Sequence, residues 1–379
     1  MSWEVKPLGE LCEVFTDGDW IESKDQSPEG IRLVQTGNIG EGVFKDREDK
    51  ARFISKATFA RLNCTEVFEG DCLVSRLPDP VGRACILPDT GKQMITGVDC
   101  SIIRFKHKVM KPEFFQYYSQ SDLYLKDVAK LISGTTRDRI SRKNLGTVPV
   151  PNPPLPEQER IVGKLDAAFA ALAEAQAHVE RNRANARELF ESYLNGVFEG
   201  KGDGWVEKTI GECFRIRSGD FLPAKSMNES GPYEVYGGNG VAGKHDAYNL
   251  SGSNVVIGRV GAKCGNVRHI ETPIWLTDNA FNISEFHEDF DHEFLTYLLN
   301  HLDLRSFARQ AAQPVVSFSS LKDVVLRYPS SVAVQRKIAE RMGELEAETE
   351  KLDTTYQQKL TELAGLKKAV LGAAFRGEL

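Results

Sequence analysis

A glycine-rich segment in the second half of the chain has the residue types and spacing of a phosphate-binding loop. Gly238-Asn-Gly-Val-Ala-Gly243-Lys244 fits both a dinucleotide-binding glycine pattern and the start of a P-loop. A P-loop needs Ser or Thr directly after the lysine to hold Mg²⁺, but His245 follows here. The next residues also lack the pattern of a helix whose N-terminus could face a phosphate. We therefore interpret the segment as a glycine turn in a recognition loop.

Other candidate catalytic and metal sites are also incomplete. Asn152-Pro-Pro-Leu155 is similar to the Asn-Pro-Pro-aromatic tetrad of adenine methyltransferases, but it lacks the aromatic residue, and a proline linker explains it. The seven cysteines include no Cys-x-x-Cys pair, and the histidines lack zinc-ligand spacing, so we expect buried or free thiols in a reducing compartment. Hydrolase signatures such as Gly-x-Ser-x-Gly are absent. The sequence predicts a chain without catalytic activity, metal or bound cofactor.

The charge of the chain is acidic overall but locally basic. A net charge of -6 argues against a protein that coats nucleic acid without sequence preference. An arginine-rich segment between residues 130 and 143 is the exception, and it could form a local DNA-binding patch. The composition, 41% hydrophobic and 27% charged, is typical of a globular protein, and the sequence shows neither an apolar signal core nor a membrane-spanning run. These features predict a cytoplasmic protein.

Two long helices are the elements predicted to position the loops. An apolar seam with alternating steps of four and three residues begins at Ile161, and the same seam recurs at a constant offset from Ile338. Such a seam, when it continues over several heptads, allows a helix to supercoil against a partner. The residues on which this pattern depends are Ile161, Leu165, Leu172, Val179, Leu189, Ile338, Leu345, Leu352, Leu363, Leu366 and Val370.

Either of two pairings would bury these seams. A coiled coil commonly joins two chains, and this is the simpler alternative. Here both helices belong to one chain with a folded globule between them, so an antiparallel intrachain pair gains from a high effective concentration. Asn182 and Lys359 share one seam register, where polar residues lower stability but set register and partner choice. We favour the intrachain pair, which would act as a ruler for whatever lies between the helices.

The duplication extends from the helices to the globules. Trp3 and Gly9 match Trp205 and Gly211, and the offset then drifts, which indicates loops of different length on a preserved frame. The predicted order is a first domain at residues 1–150, a central helix at 151–200, a second domain at 201–330 and a C-terminal helix at 331–379. The fold class is mixed α/β: two α+β domains in a pseudo-two-fold repeat, separated by two long helices that form an antiparallel intrachain coiled coil.

This order of domains and helices resembles the specificity subunit of type I restriction-modification enzymes over nearly the whole chain. The most specific part is Pro149-Val-Pro-Asn-Pro-Pro-Leu-Pro-Glu-Gln-Glu-Arg-Ile161, where the first domain enters its helix, with a weaker echo at 328–338. The C-terminal Ala373-Ala-Phe-Arg-Gly-Glu-Leu379 is also similar to that of the family. So are the loops Ser133-Gly-Thr-Thr136 and Tyr236-Gly-Gly-Asn-Gly240. The second linker departs from the pattern, because Ser330-Ser-Val-Ala-Val334 replaces a proline-rich run.

The resemblance implies a DNA-reading scaffold that is not itself an enzyme. Each globule would be a target-recognition domain that reads one half of a split, asymmetric sequence in double-stranded DNA. The helices would set the gap between the halves and dock two modification (methyltransferase) subunits. Those subunits would methylate adenine with S-adenosylmethionine, and restriction subunits would cleave DNA with ATP and Mg²⁺. No cofactor is therefore expected on this chain.

We expect the base contacts to come from loop residues with bidentate or adaptable donors. Arginine suits guanine and Asn or Gln suits adenine in the major groove, while some cations would contact only phosphate. The candidates in the first domain are Thr36, Asn38, Arg76, Arg83, Thr135, Thr136, Arg137 and Arg139. Those in the second domain are Tyr236, Asn239, Arg259, Lys263, Thr277, Asn279, Gln313 and Ser317.

Two other classes of protein remain open at this point. A coiled-coil scaffold whose domains bind peptides would show no salt-dependent binding to DNA. A specificity protein from another DNA modification or defence system would bind DNA without a type I partner pair.

Overall fold

Two compact units make up the chain in the computed structural model, which describes residues 3–134, 137–199, 204–309 and 314–379. One unit comprises Met1–Val179 with Gln357–Leu379, and the other comprises Glu180–Tyr356. Each unit therefore contains one globular domain together with part of each long helix.

The first domain is built on a four-stranded and a five-stranded sheet. The strands are β1 (Val5–Pro7), β2 (Cys12–Asp17), β3 (Gln26–Ser27), β4 (Ile31–Val34), β5 (Phe53–Ile54), β6 (Glu66–Val67), β7 (Cys72–Ser75), β8 (Ala84–Ile86), β9 (Met94–Thr96), β10 (Cys100–Phe105) and β11 (Pro149–Pro151). The antiparallel sheet has the order β2-β10-β7-β8, and the larger sheet has the order β3-β5-β4-β9-β6 with β4 and β9 parallel. β1 pairs with β11 at the exit of the domain.

Helices cover this framework and lead out of it. They are α1 (Lys56–Leu62), α2 (Pro112–Tyr118), α3 (Asp122–Ala129), α4 (Arg142–Gly146) and the long α5 (Leu155–Phe198). Short 3-10 turns lie at Leu8–Leu11, Ser23–Asp25, Thr36–Asn38 and Glu48–Lys50. Every residue of β7 is buried, because the strand is covered on both faces.

The second domain repeats this architecture with different loops. Its strands are β12 (Trp205–Thr209), β13 (Arg215–Ser218), β14 (Tyr233–Gly237), β15 (Gly240–His245), β16 (Asn254–Gly258), β17 (Val267–Ile270), β18 (Ile274–Leu276), β19 (Ala280–Ser284) and β20 (Val325–Pro329). The four-stranded sheet has the order β13-β19-β16-β17, β15-β14-β18 form a second sheet with β14 and β18 parallel, and β12 pairs with β20. Equivalent strands take equivalent places, so the predicted repeat and fold class are confirmed.

The helices of the second half follow the same order. They are α6 (Ile210–Cys213), α7 (His292–His301), α8 (Phe318–Leu321) and the long α9 (Val332–Arg376), with 3-10 turns at Ala224–Ser226 and Leu304–Phe307. Among the described residues, no helix combines the length and the apolar character needed to cross a lipid bilayer.

Each unit contains the beginning of one long helix and the end of the other. In the first unit, the start of α5 and the end of α9 enter one core, where the Phe375 ring lies 5.3 Å from that of Phe114. In the second unit, the start of α9 and the end of α5 enter one core, where the Phe198 ring lies 5.8 Å from that of Phe294. The two helices therefore run antiparallel within each unit.

A buried glutamine at the start of each long helix ties that helix to its domain. Gln158 is fully buried, its Oε1 accepts the Lys111 N–H at 2.8 Å, and its Nε2 donates to a linker carbonyl at 2.8 Å. Gln335 is also fully buried, and it accepts the Asp291 N–H and donates to the end of β20, both at 2.8 Å. Lys111 and Asp291 directly precede α2 and α7. Each glutamine therefore joins a linker, a domain helix and a long helix.

The helix seam departs in part from the predicted register. Ile161 and Leu165 are fully buried, and the half-buried seam positions are Leu172, Val179, Ile338, Leu345, Leu363 and Val370. The sequence pattern also assigns Leu189, Leu352 and Leu366 to the seam, but these residues are 72%, 42% and 50% exposed. The prediction for these three leucines is wrong.

The register shifts because an undistorted helix has 3.6 residues per turn and drifts away from a strict seven-residue repeat. Asp353 replaces Leu352 on the inner face of α9 in the second unit. Arg183 of α5 donates to both carboxylate oxygens of Asp353, at 2.7 and 3.0 Å, and Arg187 donates to Oδ1 at 2.5 Å. These bonds, chiefly that from Arg183, hold the pKa of Asp353 below its ordinary value. A charged layer therefore occurs where an apolar one was predicted.

Candidate nucleic-acid interface

In the first domain, the end of β2 and the start of β10 meet at a concave surface. The Gly18 N–H donates to the Cys100 carbonyl and the Asp19 N–H donates to the Thr96 carbonyl, both at 2.8 Å. The concavity has a volume of about 220 Å³, and its lining includes Asp19, Trp20, Gln35, Thr36 and Asp99. Loops that follow separate strands therefore contribute to one surface.

Arginines and aspartates form an ion-pair network at this surface. Arg76 directly follows β7, is 4% exposed and lies 3.3 Å from Asp17 (Nε to Oδ1). Burial lowers the pKa of Arg76 and the Asp17 carboxylate opposes that shift, so the guanidinium stays charged. Arg139 contacts Asp99 at 2.8 Å, Arg142 contacts Asp17 at 3.8 Å, and both side chains are nearly half exposed. Arg76 thus supports the surface, and its predicted base contact is corrected because the side chain is buried. Arg139 and Arg142 can reach a ligand.

Two further residues predicted to contact bases, Arg83 and Asn38, support the loops instead. Arg83 is 7% exposed, and its guanidinium donates to the backbone carbonyls of Ile39, Leu77 and Thr36 at 2.6 to 2.8 Å. Asn38 is 6% exposed, and its amide bridges two backbone groups, each at 2.9 Å. The predicted base contacts at Arg83 and Asn38 are therefore corrected, because their donors are engaged within the protein. Thr36 is half-buried at the edge of the concavity.

The second domain has the equivalent surface at the end of β13. The N–H groups of Gly219 and Asp220 donate to carbonyls at the facing ends of β19 and β18, at 3.2 and 3.0 Å. Arg259 directly follows β16, as Arg76 follows β7, and it donates to the Asp278 carbonyl at 3.2 Å. The concavity has a volume of about 240 Å³, and its lining includes Arg217, Ser218, Asp220, Asn249 and Asn282.

The other candidates in the second domain divide into buried and exposed residues. Thr277 is 4% exposed and donates to the Tyr236 carbonyl at 3.0 Å, and the Ser317 hydroxyl caps α8 by accepting a backbone N–H at 3.2 Å. Thr277 and Ser317 therefore have structural roles, and Tyr236 is half-buried. The exposed candidates, which stay predicted contacts, are Asn239, Lys263 and Asn279.

The glycine-rich segment at 238–244 forms a hairpin. β14 and β15 pair antiparallel with Gly237 opposite Gly240, so the turn lies at Gly238-Asn239 and a strand, not a helix, follows. A Cβ at position 238 would lie 2.0 Å from the Val260 carbonyl oxygen, so this close approach requires glycine. The interpretation as a glycine turn is confirmed.

Three predicted contacts, Thr135, Thr136 and Gln313, lie outside the described residues. Arg137 and Arg139, which follow the first two, are exposed. With Arg142 they make up the exposed arginines of the segment that the sequence marks as basic.

Two pairs of residues that occupy equivalent positions in the two halves of the repeat were missed in the sequence analysis. Trp20 and Phe221 are 70% and 74% exposed, and each directly follows a Gly-Asp dipeptide at the end of an equivalent strand. Gln158 and Gln335 occupy equivalent buried joints. The available signal in both cases was the recurrence of a residue type at a matched position of the repeat.

The cysteines are structural. All seven are buried free thiols, and burial raises the pKa of Cys12 and Cys85 to about 12, so both stay protonated at neutral pH. The prediction of buried or free thiols is confirmed. The described residues contain no group of His, Cys, Asp and Glu side chains that could hold a metal ion.

Two tandem α+β domains with equivalent strand-end surfaces, connected by a long helix, define the class of this protein as a repeated two-domain scaffold. The model of the family described as "Type I restriction modification DNA specificity domain" matches residues 1–180 and 202–362. The chain belongs to this family.

The curated relatives that the chain is similar to are named as type I restriction enzyme specificity subunits. The EcoprrI specificity subunit of Escherichia coli is 28% identical over 234 residues, which are 59% of this chain and 56% of that subunit. The StySPI specificity subunit of Salmonella potsdam is 22% identical over 328 residues, or 75% of this chain and 68% of that subunit. The chain thus matches little more than half the length of the EcoprrI subunit.

Solved structures share the fold along the whole chain. A chain from work on complex assembly and conformational transition of the type I R-M system aligns with a TM-score of 0.80 at 19% identity, over 100% of this chain and 98% of that chain. The HsdS subunit of Thermoanaerobacter tengcongensis aligns with a TM-score of 0.64 at 18% identity, over 100% and 97%. At these identities the likeness establishes the fold.

Proposed function

We propose that this chain is the DNA-specificity subunit of a type I restriction-modification complex, and that each domain reads one half of a bipartite target. The observation that carries the proposal is the repeated surface at the ends of β2 and β13, where the same backbone corner presents different side chains. A preserved frame with divergent loops suits two recognition events on one asymmetric sequence. Membership of the specificity family supports the same function.

Two kinds of DNA contact follow from the chemistry of the surface. The exposed Arg137, Arg139 and Arg142 are suited to phosphate oxygens or guanine, and they would orient the first domain on the duplex. The exposed Asn279 has the paired donor and acceptor that recognise adenine in the major groove. The Asn239 Oδ1 accepts the Lys263 N–H at 3.0 Å, so the Asn239 amide would contribute its Nδ2 donor. The two domains would therefore read different bases on equivalent frames.

The long helices are proposed to set the gap between the two half-sites. In the first unit, α5 is held at its start by Gln158, and in the second unit it is held at its end by Phe198. α9 is held in the reverse sense by Gln335 and Phe375. Because both ends of each helix are held, helix length would control the spacing of the two half-sites that the domains read.

The partners are proposed to supply all of the catalysis. Two modification (methyltransferase) subunits would dock on the helices and use S-adenosylmethionine, and restriction subunits would use ATP and Mg²⁺. The chain itself would bind none of these cofactors and would act in the cytoplasm, where it meets chromosomal DNA.

A genome-wide map of methylated adenine, with and without the gene, tests the proposal. We expect a split motif, two short halves with a fixed unspecified gap, to be methylated only when the gene is present. The control is the deletion strain complemented with the wild-type chain, which should restore the motif. If the partner subunits are expressed and no methylated motif depends on the gene, the proposal is wrong, and a peptide-binding scaffold becomes the better reading.

A further inference from the structure

Trp20 and Phe221 occupy the same position in the two domains. Trp20 follows Gly18-Asp19 at the end of β2, and Phe221 follows Gly219-Asp220 at the end of β13. The rings are 70% and 74% exposed, more than any other large hydrophobic side chain of the described residues except Leu189. Large aromatic side chains contribute much of the contact area at binding surfaces. Their recurrence at one place in a diverged repeat indicates a shared role.

A rigid corner presents the first ring. A Cβ at position 18 would lie 2.4 Å from the Gly97 carbonyl oxygen, so only glycine allows β2 to end this close to the facing turn. The Asp19 carboxylate also accepts the Thr65 N–H at 2.9 Å. The backbone just before Trp20 is therefore fixed on both sides, and the ring does not depend on a loose loop for its position.

The second ring is presented in the same way. A Cβ at position 219 would lie 2.3 Å from the Leu276 carbonyl oxygen. The Asp220 carboxylate accepts a hydrogen bond from the Asn249 amide at 2.9 Å, where Asp19 accepts one from a backbone N–H. The two aspartates thus accept hydrogen bonds from different donors, a backbone N–H and a side-chain amide, but the aromatic residue follows the same Gly-Asp corner in both domains.

We propose that Trp20 and Phe221 are matched base-contacting residues, each of which packs its ring against bases of the half-site read by its own domain. The inference rests on the proposed DNA-specificity function and deepens it by assigning the residues that make apolar contact. An aromatic ring can contact a thymine methyl group in the major groove or stack on an unstacked base. Rings held out by a fixed backbone need little ordering on binding.

Each surface carries acidic and basic groups, and the Trp20 indole N–H itself donates to the Glu22 carboxylate at 3.4 Å. Trp20 lines the same concavity as Asp99, which holds the half-exposed Arg139 at 2.8 Å. Asp220, directly before Phe221, lines a concavity with the exposed Arg217. The exposed arginines of the two domains would contact phosphates, while the rings would contact bases.

Binding of the intact complex to DNA tests the proposal. The chain with its modification subunits would be measured against a duplex that carries the methylated motif and a scrambled duplex. We expect Trp20→Ala and Phe221→Ala each to weaken binding to the motif by about tenfold or more, with little change for the scrambled duplex. Trp20→Phe should keep most of the affinity. The control variants are Phe68→Ala, 52% exposed beside a different concavity, and Phe286→Ala, 38% exposed.

Methylation maps of the two variants give a second readout. Trp20→Ala should relax base preference in one half of the motif only, and Phe221→Ala in the other half only. Three outcomes would overturn the inference but leave the proposed function intact. They are unchanged affinity and motif, an equal loss of affinity for the scrambled duplex, and loss of the modification subunits from the purified complex. A wild-type complex that does not distinguish the motif from the scrambled duplex would overturn the proposed function, and the inference with it.

Discussion

At the residue scale, burial separates the arginines that support the concave surface of the first domain from those that are exposed to a ligand. Arg76 and Arg83 are 4% and 7% exposed and hold carboxylates or backbone carbonyls in place. Arg137, Arg139 and Arg142 are exposed on the segment that follows α3. One residue type thus occupies two environments, because a guanidinium can satisfy several buried acceptors or stay solvated as an exposed cation.

Arg137 is the exposed arginine for which we expect the clearest effect on DNA binding. Arg137→Ala should weaken binding to the target by about 1–3 kcal/mol if the side chain contacts a base edge. Fluorescence anisotropy with target and scrambled duplexes would measure the loss. Lys56→Ala, which removes an exposed cation on α1, is the matched control. Unchanged affinity and unchanged site preference would show that Arg137 makes no base contact.

At the element scale, each long helix is attached to a domain by a few polar contacts of high specificity. Gln158 and Gln335 satisfy backbone groups that the linkers and domain helices leave unpaired. Tyr117 and Tyr297 add a second tie, since their hydroxyls donate to Asp166 on α5 and Glu346 on α9. The direction of each helix is therefore determined where it leaves its domain.

Loss of the buried amide should destabilise the joint. Gln158→Leu would leave the Lys111 N–H and linker carbonyls without partners, so we expect a loss of about 1–3 kcal/mol in the free energy of unfolding. Urea denaturation followed by circular dichroism would measure it. Gln358→Leu, at an exposed position of α9, is the matched control and should change stability little. Equal stability of the two variants would contradict a structural role for Gln158.

The charged layer on the long helices predicts a pH-dependent stability. The folded-state pKa of Asp353 is depressed by Arg183, so the stabilisation is present above the ordinary carboxyl pKa of about 4 and is lost as pH falls through the lower folded value. Asp353→Asn should therefore lower Tm at pH 7, and the deficit should shrink below about pH 4. Glu362→Gln, on the exposed face of α9, is the control. If Asp353→Asn lowered Tm equally at pH 7 and below about pH 4, the result would argue against the ion pair.

At the scale of the whole molecule, a duplicated frame supports two surfaces that have diverged. The four-stranded sheets keep one strand order, whereas the second sheet has five strands in the first domain and three in the second. Divergence is therefore concentrated in the second sheet and the loops, while the four-stranded sheet and its core keep one arrangement.

Helix length should control the gap in the DNA target. Removing residues 170–176 and 360–366 takes one heptad from each long helix. The deletions lie beside the contact between Lys367 and the Phe169 ring, so facing segments are removed. A seven-residue deletion also preserves the register of the apolar seam. Seven residues span about 10 Å, so we expect the gap to shorten by about three base pairs while both half-sites stay the same. Methylation mapping would measure the gap.

Removing only four residues from each helix, 170–173 and 363–366, is the contrasting variant. It breaks the phase of the seam, so Tm should fall. The claim that helix length sets the gap would be contradicted by an unchanged gap in a stable heptad-deleted variant. A changed half-site would also contradict it.

Much of the fold could be predicted from local patterns, but the site could be predicted only in part. The helix seams and the repeated openings at Trp3 and Trp205 are visible as spacing along the chain. Arg83 could not be classified in that way, because one of its partners, the Ile39 carbonyl, lies 44 residues away. Leu189 was misassigned because a strict heptad does not reveal where a straight helix drifts out of register.

The amino-acid sequence by itself determined the duplicated order, the two long helices, the hairpin turn at Gly238 and the absence of complete catalytic motifs. These properties depend on residue type and spacing over a few turns or strands. Only the tertiary structure decided which arginines brace the surface, which leucines leave the seam and that Trp20 and Phe221 project from rigid corners. The reason is physical: exposure and hydrogen bonding depend on what the fold brings against a residue from distant parts of the chain.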